Sequence, residues 1–323
     1  MKLSVHIALL GFLLESGPSL VQGAPGAGFG FHFNKYRPAT LKLGETALNS
    51  NSRGSASEGV QFGLNVCRTH ATPRERATAE HKYRGKHHRV KEEDGQRIVF
   101  PVNFHVVAEN KTWEGGWVRH HQIRSQVENL NKNFKHANIH FELRKVTHTI
   151  DEYYFREGGI DESSDAEFKS NLRQGGADTL NVYTSGFLQE DEEATLGRAT
   201  YPWQYQAPDL GPDGISIKWT TLPGNDREQE GKMLTHEAGH WLGLYHTFEG
   251  QSCEGEGDGV DDTPQQAEYA WQCGVVDNSC PNASGVKAGT NFMDYKPDSC
   301  LYEFTPGQIK KMRAYAREFR VGR

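Results

Sequence analysis

The stretch HEAGHWLGLYH, residues 236–246, constrains this chain most, because it places three histidines and one glutamate within eleven positions. Residues four apart lie nearly above one another on an α-helix, so His236 and His240 can direct their imidazoles at one ion. Gly243 allows the helix to end in a left-handed conformation, after which the reversed chain can bring His246 to the same ion. The alternative is a polar helix face with ordinary histidines. The spacing therefore makes metal binding a hypothesis that other parts of the chain must support.

Glu237 favours a catalytic metal site over a structural one. A catalytic zinc site keeps one position for water, and a neighbouring carboxylate can take a proton from that water. Three neutral imidazoles and one water complete a tetrahedral site. Downstream, NFMDY at residues 291–295 contains a methionine whose simpler interpretation is a buried side chain in a turn. Together the two stretches match the extended zinc motif and the methionine turn of metzincins.

The N-terminal residues predict secretion. Lys2 precedes an apolar run from Ile7 to Leu14 and small residues near Gly23, which is the pattern of a signal peptide over residues 1–23. A short buried helix is the alternative. Neither this run nor any later one is long enough to cross a bilayer, so we expect no membrane partner. Residues 24–96 are first poor in aliphatic side chains and then basic, which predicts a solvated pro-segment that is open to processing proteases.

The cysteine count has a pattern that fits secretion. In an oxidising compartment, clustered cysteines form disulfides and can staple the irregular stretch that follows His246. The cluster consists of Cys253, Cys273, Cys280 and Cys300, whereas Cys67 stands apart and leaves an odd count. Four cysteines can pair in three ways, and spacing alone does not choose among them. Two sequons, at Asn110 and Asn282, are compatible with glycosylation.

Regular structure becomes recognisable at Ile98, where apolar residues alternate through IVFPVNFHVV as in a strand. A helical face follows at residues 123–134, and the stretches IHFELRKV, LNVYTSGF and ISIKW predict further strands. A second helix is predicted from about Glu228. Thr305-Pro306-Gly307-Gln308 supplies an N-cap, a first-turn proline and a capping-box partner for a last helix. This order predicts an α/β (α+β) domain over residues 97–323, with helices packed on a sheet.

The stretches HEAGHWLGLYHTF, GDGVDDTP and NFMDY, with the cysteines around them, resemble the pappalysin family of metzincin metalloproteases, especially its small secreted fungal members. The resemblance extends from about Arg97 to the C-terminus and is most specific from Thr235 to Gln308. It implies a metzincin-like zincin fold, with a twisted mixed sheet and two long helices in an N-terminal subdomain. The C-terminal subdomain would be irregular, stapled by disulfides, and would end in a helix.

The same resemblance implies roles for individual residues. The zinc ligands would be His236, His240 and His246, and Glu237 would be the general base. Met293 would form a hydrophobic floor beneath the metal, and the Tyr295 hydroxyl would stabilise the tetrahedral intermediate as an oxyanion donor. The implied disulfides are Cys253–Cys280 and Cys273–Cys300.

Cys67 is a candidate latency switch, because a thiolate is a strong zinc ligand and can occupy the position of the water. Related proenzymes use such a cysteine in a Cys-Gly context, whereas this chain has Cys67-Arg68. A free thiol or an intermolecular disulfide is the alternative. Cleavage between Cys67 and Arg97 would release the cysteine.

The acidic stretch GEGDGVDDTP, residues 255–264, is either a solvated loop or a calcium site. It does not have the spacing of an EF-hand loop. Hard oxygen ligands suit calcium, and the family resemblance implies a site formed by Asp258 and Thr263 with the carbonyl of Val260.

These features predict a secreted, extracellular zinc endopeptidase that hydrolyses protein or peptide substrates with Glu237 as general base. Asp298, just past the methionine turn, is a candidate for selecting a basic residue after the cleaved bond. A net charge of −6 disfavours nucleic acid as a partner. The alternative is a non-catalytic, metal-stabilised binding module, in which Glu237 would have no use. A serine hydrolase is disfavoured because no G-x-S-x-G stretch is present.

Overall fold

The computed structural model describes residues 67–87, 95–159, 161–188, 195–204, 211–224, 229–269, 272–273, 279–283 and 289–322. The predicted signal peptide, residues 1–23, and the first part of the predicted pro-segment, residues 24–66, lie outside these ranges.

A five-stranded mixed sheet forms the centre of the fold. Its strands are β1 (Ile98–Ala108), β2 (Ile139–Ile150), β3 (Leu180–Ser185), β4 (Gly197–Ala199) and β5 (Ile215–Lys218), in the spatial order β2-β1-β3-β5-β4. Strands β2, β1, β3 and β5 are parallel to one another, and the edge strand β4 is antiparallel to β5. The strands predicted at Ile98, IHFELRKV, LNVYTSGF and ISIKW are therefore confirmed.

Strand β1 is apolar along nearly its whole length because it is covered on both faces. Phe100, Val102, Phe104 and Val106 are fully buried, and so is the neighbouring Val107. Parallel strands with both faces covered require such continuous apolar sequences. The strand also contacts the helix that carries the histidine motif, where Phe100 packs edge-on against Trp241 with ring centroids 5.1 Å apart.

Helices pack on this sheet as predicted. They are α2 (His120–Asn133), α3 (Glu152–Glu157), α4 (Glu162–Leu172), α5 (Lys232–Trp241) and α6 (Pro306–Tyr315), which continues as a π-helical turn at Ala316–Arg320. Helix α2 buries Ile123, Val127 and Leu130 on one face. The predicted capping box of α6 is present, since the Thr305 side chain accepts from the Gln308 amide at 3.1 Å and the Gln308 side chain accepts in return. Within the described ranges, no helix is long and apolar enough to cross a membrane.

Helix α5 begins at Lys232 and not near the predicted Glu228. Gly231 precedes it with φ of +74°, a left-handed conformation that interrupts a helix. The Gly231 carbonyl accepts a hydrogen bond of 2.9 Å from the Gln126 side chain on α2. Gly231 therefore marks the start of the second helix, and α2 contacts it there.

The prediction that the basic stretch after Cys67 is solvated holds for much of its described part, although a few of its residues are buried. Residues Pro73–His87 form a helix, α1, which packs on the rest of the protein. Ala79 and Glu80 are buried, and Glu80 Oε1 lies 2.6 Å from Lys311 Nζ on α6. The Tyr83 ring stacks on Tyr315 with centroids 5.1 Å apart. The charge count predicted exposure because the partner of Glu80 lies more than two hundred residues away in the sequence.

The chain between α5 and α6 is irregular in its described parts and contains two disulfides. They join Cys253 to Cys280 and Cys273 to Cys300, with Cα–Cα distances of 5.3 and 5.4 Å. Both lie in the normal range for a disulfide. These are the pairs that the family resemblance implies. The cross-links replace part of the packing that this loop-rich region does not have.

Candidate metal centre

Helix α5 places the first two histidines, and its end places the third. Gly243 follows with φ of +94°, and the Leu244 amide donates to the Gly239 carbonyl at 2.9 Å. A Cβ at Gly243 would lie 2.8 Å from the Tyr315 ring, so both backbone conformation and space require glycine. The turn brings His246 beside His236 and His240, as the spacing predicts.

The three imidazoles present their Nε2 atoms to one point. His240 Nε2 lies 3.1 Å from His236 Nε2 and 3.2 Å from His246 Nε2. His236 Nδ1 and His240 Nδ1 each lie 2.7 Å from a backbone carbonyl, of Phe292 and Leu244 respectively. A carbonyl can only accept, so these Nδ1 atoms carry the protons and the Nε2 lone pairs remain available.

Burial keeps the imidazoles of His236 and His240 neutral. Burial, and then the nearby His246, lowers the pKa of His236 to about 3. Burial also lowers the pKa of His240 well below its ordinary value, and the neighbouring histidines add to this effect. Neutral imidazole is the form that binds a metal ion.

The nitrogen spacing fits a metal ion with tetrahedral preference. Ligand nitrogens at normal zinc distances occupy the corners of a tetrahedron whose edge is about 3.3 Å. The observed separations are close to this value, and the Cys67 sulfur belongs to the same group, whose four ligand atoms all lie within 4.8 Å of one another. The donor set is therefore three imidazoles and one thiol, and all four residues are buried.

Glu237 is fully buried beside this group. Its Oε2 accepts a hydrogen bond of 2.7 Å from the Thr69 hydroxyl, whereas Oε1 has no hydrogen-bond partner among the described residues. Burial raises the pKa of Glu237 to about 7, and hydrogen bonding from Cys67 and Thr69 opposes part of that shift. A carboxyl group with a pKa near 7 accepts a proton in its ionised form and donates one in its protonated form near neutral pH.

The Cys67 segment lies across the site. Cys67 forms a parallel bridge with Gly197 of β4, and the Arg68 amide donates to the Gly197 carbonyl at 3.0 Å. The Thr69 hydroxyl accepts from the Ala199 amide at 2.7 Å while it donates to Glu237. The φ of Arg68 is not positive, so the backbone passes the histidines here without a conformation that requires glycine. Burial, and then the charge of Glu237, raises the pKa of the Cys67 thiol.

Met293 and Tyr295 also lie near the histidines, and Tyr295 contacts the Cys67 segment. Met293 is fully buried, and its sulfur would collide with any Cβ at Gly239 on α5. The Met293 carbonyl accepts from the Thr247 amide at 3.2 Å, directly after the third histidine. The Tyr295 hydroxyl donates to the Cys67 carbonyl at 3.1 Å and lies 3.2 Å from His246 Nε2. Tyr295 therefore adjoins His246, and Met293 packs on the helix that carries His236 and His240; their roles stay predictions.

The acidic loop brings together its predicted residues Asp258, Thr263 and Val260, at a place separate from the histidine cluster. Asp258 Oδ1 accepts from the Thr263 hydroxyl at 2.5 Å, and that hydroxyl lies 2.8 Å from the Val260 carbonyl. Asp258 Oδ2 is buried and has no hydrogen-bond partner within the described ranges. Asp262 contributes elsewhere, because its carboxylate accepts from the Thr305 hydroxyl and from the Gly307 amide at the start of α6.

The remaining predicted residues lie outside this centre. Asp298 Oδ2 accepts from the amides of Glu230 and Lys232, at 2.9 and 3.2 Å, so one of its oxygens binds the main chain where α5 begins. Its role in specificity stays a prediction. The sequon residues Asn110 and Asn282 are both exposed, and their glycosylation also stays a prediction.

Several contributors to the site were not predicted. Thr69 and Ala199 carry no motif, and the carbonyls of Phe292 and Leu244 act through the backbone, which any residue type provides. Glu249, whose Oε2 lies 3.8 Å from His246 Nδ1, follows the motif by three positions and would be visible only from the i, i+3 spacing.

Comparison with known proteins places these features among proteases. The model of the family Peptidase M43, described as pregnancy-associated plasma protein-A, matches residues 175–317. The extracellular metalloprotease of Pyricularia oryzae is 37% identical over 228 residues, covering 70% of this chain and 77% of that relative. Extracellular metalloprotease 1 of Coccidioides posadasii is 37% identical over 231 residues, covering 70% and 79%.

Two solved structures from Tannerella forsythia share the fold. Mature mirolysin in complex with a cleaved peptide superposes with a TM-score of 0.57 and 28% identity, covering 70% of this chain and 97% of the mirolysin chain. A promirolysin mutant has a TM-score of 0.63 at 24% identity, covering 80% and 97%, and this second likeness concerns the fold alone.

Proposed function

This chain belongs to the Peptidase M43 family of metalloproteases, whose relatives here are extracellular enzymes, and we propose that its histidine cluster is the active site of a secreted zinc endopeptidase. The observation that carries the proposal is the close approach of three buried Nε2 atoms beside the buried carboxylate of Glu237. His236, His240 and His246 are the proposed ligands. When bound, zinc would polarise the scissile carbonyl and lower the pKa of the attacking water.

Glu237 is the proposed general base. Its Oε1 has no hydrogen-bond partner among the described residues, so this buried oxygen is available to accept a proton from water. The same carboxyl can then donate this proton to the leaving amine.

Tyr295 is the proposed oxyanion donor. Burial, followed by the neighbouring Cys67 and Glu237, raises the pKa of the phenol well above its ordinary value, so the hydroxyl keeps its proton. In this structure that proton is donated to the Cys67 carbonyl. Once the Cys67 segment has left, the hydroxyl can donate to the negative charge that develops on the substrate carbonyl oxygen.

Cleavage of casein by the processed protein tests the proposal. The wild type would be compared with Glu237→Ala and with the exposed-site control Glu254→Ala, and zinc content would be measured in all three. We expect the wild type and the control to cleave, and Glu237→Ala to hold zinc without cleaving. Zinc in all three without any cleavage, even after removal of the Cys67 segment, would instead indicate a non-catalytic metal-binding module.

We infer that residues 1–23 are a signal peptide and that residues 24–96 are a pro-segment in which Cys67 holds the enzyme latent. The Cys67 sulfur lies within the group of ligand atoms, and Thr69 occupies the general base. Cleavage between Cys67 and Arg97 would remove both contacts. The test is Cys67→Ala in the unprocessed chain, which should cleave casein, whereas the unprocessed wild type should not. Equal inactivity of the two chains would exclude Cys67 as the switch.

We also propose a calcium site at Asp258 and Thr263 with the Val260 carbonyl. The supporting observation is the buried Asp258 Oδ2 that no described residue satisfies, since a buried carboxylate oxygen needs a hydrogen-bond donor or a cation. Calorimetric titration with calcium should show binding by the wild type and by Asp261→Asn, which is an exposed neighbour, but not by Asp258→Asn. Identical titrations of all three proteins would rule out this site.

A further inference from the structure

The three proposed metal ligands differ in what binds their second ring nitrogen. For His236 and His240, Nδ1 lies 2.7 Å from a backbone carbonyl. For His246, Nδ1 instead faces the Glu249 carboxylate, whose Oε2 lies 3.8 Å away. A ligating histidine normally donates this second N–H to an acceptor, which fixes the ring and raises its basicity. His246 therefore has an acceptor within reach, but at a distance too long for a hydrogen bond.

The local backbone keeps Glu249 close to this ring. The Glu249 amide donates to the His246 carbonyl at 3.0 Å, which closes one turn and brings the two side chains to the same side. The Phe248 ring stacks on the His246 imidazole with centroids 4.8 Å apart and an interplanar angle of 14°. The plane of the imidazole is thus held by Phe248, and its Nδ1 edge is directed toward the carboxylate.

The other oxygen of Glu249 is bound by the pro-segment. Arg76, on helix α1, places Nη1 2.8 Å from Glu249 Oε1. The side chains of Arg76 and Glu249 are 24% and 19% exposed, so the pair is largely shielded from water. Charge-assisted hydrogen bonds are strong in such a shielded position. Glu249 therefore lies between a bound arginine and a more distant histidine.

We propose that Glu249 is the positioning residue for His246 in the processed enzyme, and that Arg76 holds its carboxylate away from the imidazole until α1 is removed. The inference rests on the proposed function, because it takes His246 as a metal ligand. Loss of Arg76 would release one oxygen of Glu249, whose other oxygen already faces His246 Nδ1 at 3.8 Å, and a movement of about 1 Å would complete a hydrogen bond. Helix α1 would then weaken the metal site in addition to covering it.

The test measures the rate at which zinc passes from the protein to a chromogenic chelator. The full-length chain would be studied before and after removal of the pro-segment by limited proteolysis, with Glu249→Ala, Glu249→Gln and the exposed control Glu254→Ala. In the processed form, we expect Glu249→Ala to release zinc about tenfold faster than wild type. Glu249→Gln keeps an acceptor oxygen and should recover part of this difference, whereas the control should match wild type.

The unprocessed chain supplies the second comparison. There Glu249 is bound to Arg76, so Glu249→Ala should change zinc release by less than about threefold. An equal effect in both forms, or no effect in the processed form, would overturn the proposal. Wild-type zinc content separates the two hypotheses, because a wild type without zinc contradicts the metal site itself, whereas a zinc-loaded wild type with unaffected variants contradicts only the role of Glu249. Thermal unfolding of the metal-free variants detects general damage to the fold.

Discussion

At the residue scale, Tyr295 differs from phenylalanine by the single hydroxyl that lies 3.2 Å from His246 Nε2. If this group donates to the developing oxyanion, Tyr295→Phe in the processed enzyme should lower kcat by about 100-fold, as loss of one oxyanion donor does elsewhere. KM and zinc content should stay close to wild type, because the hydroxyl is not a metal ligand. Peptide hydrolysis kinetics check this, with Tyr302→Phe at a position 64% exposed as the matched control. An unchanged kcat would remove Tyr295 from the mechanism.

Thr69 makes a second prediction at the same scale. Its hydroxyl donates a hydrogen bond of 2.7 Å to the buried Glu237 Oε2. Thr69→Val should therefore weaken docking of the Cys67 segment, since a buried hydrogen bond to a charged group contributes about 1.5–3 kcal/mol. We expect residual peptidase activity of the unprocessed chain to rise about tenfold or more. Thr78→Val, an exposed change on α1, should leave it at the wild-type level, and equal activity of all three chains would contradict a latching role for Thr69.

These residues also mark how far the sequence predicts the site. The placement of His236, His240 and His246 follows from helix periodicity and one glycine. The position of Tyr295 came from a family resemblance, and its contact with the Cys67 carbonyl was not predictable from either. Thr69 was not found at all, because its partner Glu237 lies 168 positions away and a threonine has no distinctive spacing. Contacts that depend on tertiary docking leave no local pattern.

At the element scale, segments with a clear apolar pattern were predicted and segments without one were not. Strand β1 and helix α2 show their periodicity over eleven and fourteen residues. Strand β4 has three residues, too few for alternation to be visible, and yet it pairs with the Cys67 segment. Helix α1 was missed because its burial depends on an ion pair and an aromatic stack with α6, whereas its own composition is that of a solvated segment.

His105 on strand β1 should make the stability of the protein depend on pH. This side chain is buried between Asn181 and Thr147, with 2.9 Å to each, and burial lowers its pKa below 6.5. As pH falls below 6.5, His105 takes up a proton more readily in the unfolded chain than in the folded protein. The stability that His105 contributes is therefore fully present above pH 6.5 and is lost as pH falls below it. His105→Gln should reduce the loss of stability between pH 7 and pH 5 in urea titrations. The exposed control His121→Gln should not, and an identical slope in all three proteins would refute the prediction.

At the scale of the whole molecule, the C-terminal segment closes the fold behind the metal-binding helix. Arg320 is fully buried, and its guanidinium carbon lies 4.0 Å from the centroid of the Trp241 ring. The guanidinium donates to Asp213 Oδ2 at 2.8 Å and to the Trp241 carbonyl at 3.3 Å. Trp241 directly follows His240, so the last turn of the chain holds the end of α5. No pattern in the sequence predicts this contact, because its three residues come from distant segments.

Breaking this contact should destabilise the whole protein. Arg320→Met would leave the Asp213 carboxylate buried without its cation, and loss of one partner of a buried ion pair typically lowers the free energy of unfolding by about 3–5 kcal/mol. Asp213 keeps hydrogen bonds from Thr200 and Trp241, so we expect a value near the lower end. The double variant Arg320→Met with Asp213→Asn should lose less than the sum of the single changes, because it removes the unpaired charge.

Urea unfolding with the disulfides intact measures these differences, and Lys310→Met, on the exposed side of α6, should differ from wild type by less than about 0.5 kcal/mol. Strictly additive effects of Arg320 and Asp213 would mean that the two residues stabilise α5 separately, and not as one buried pair.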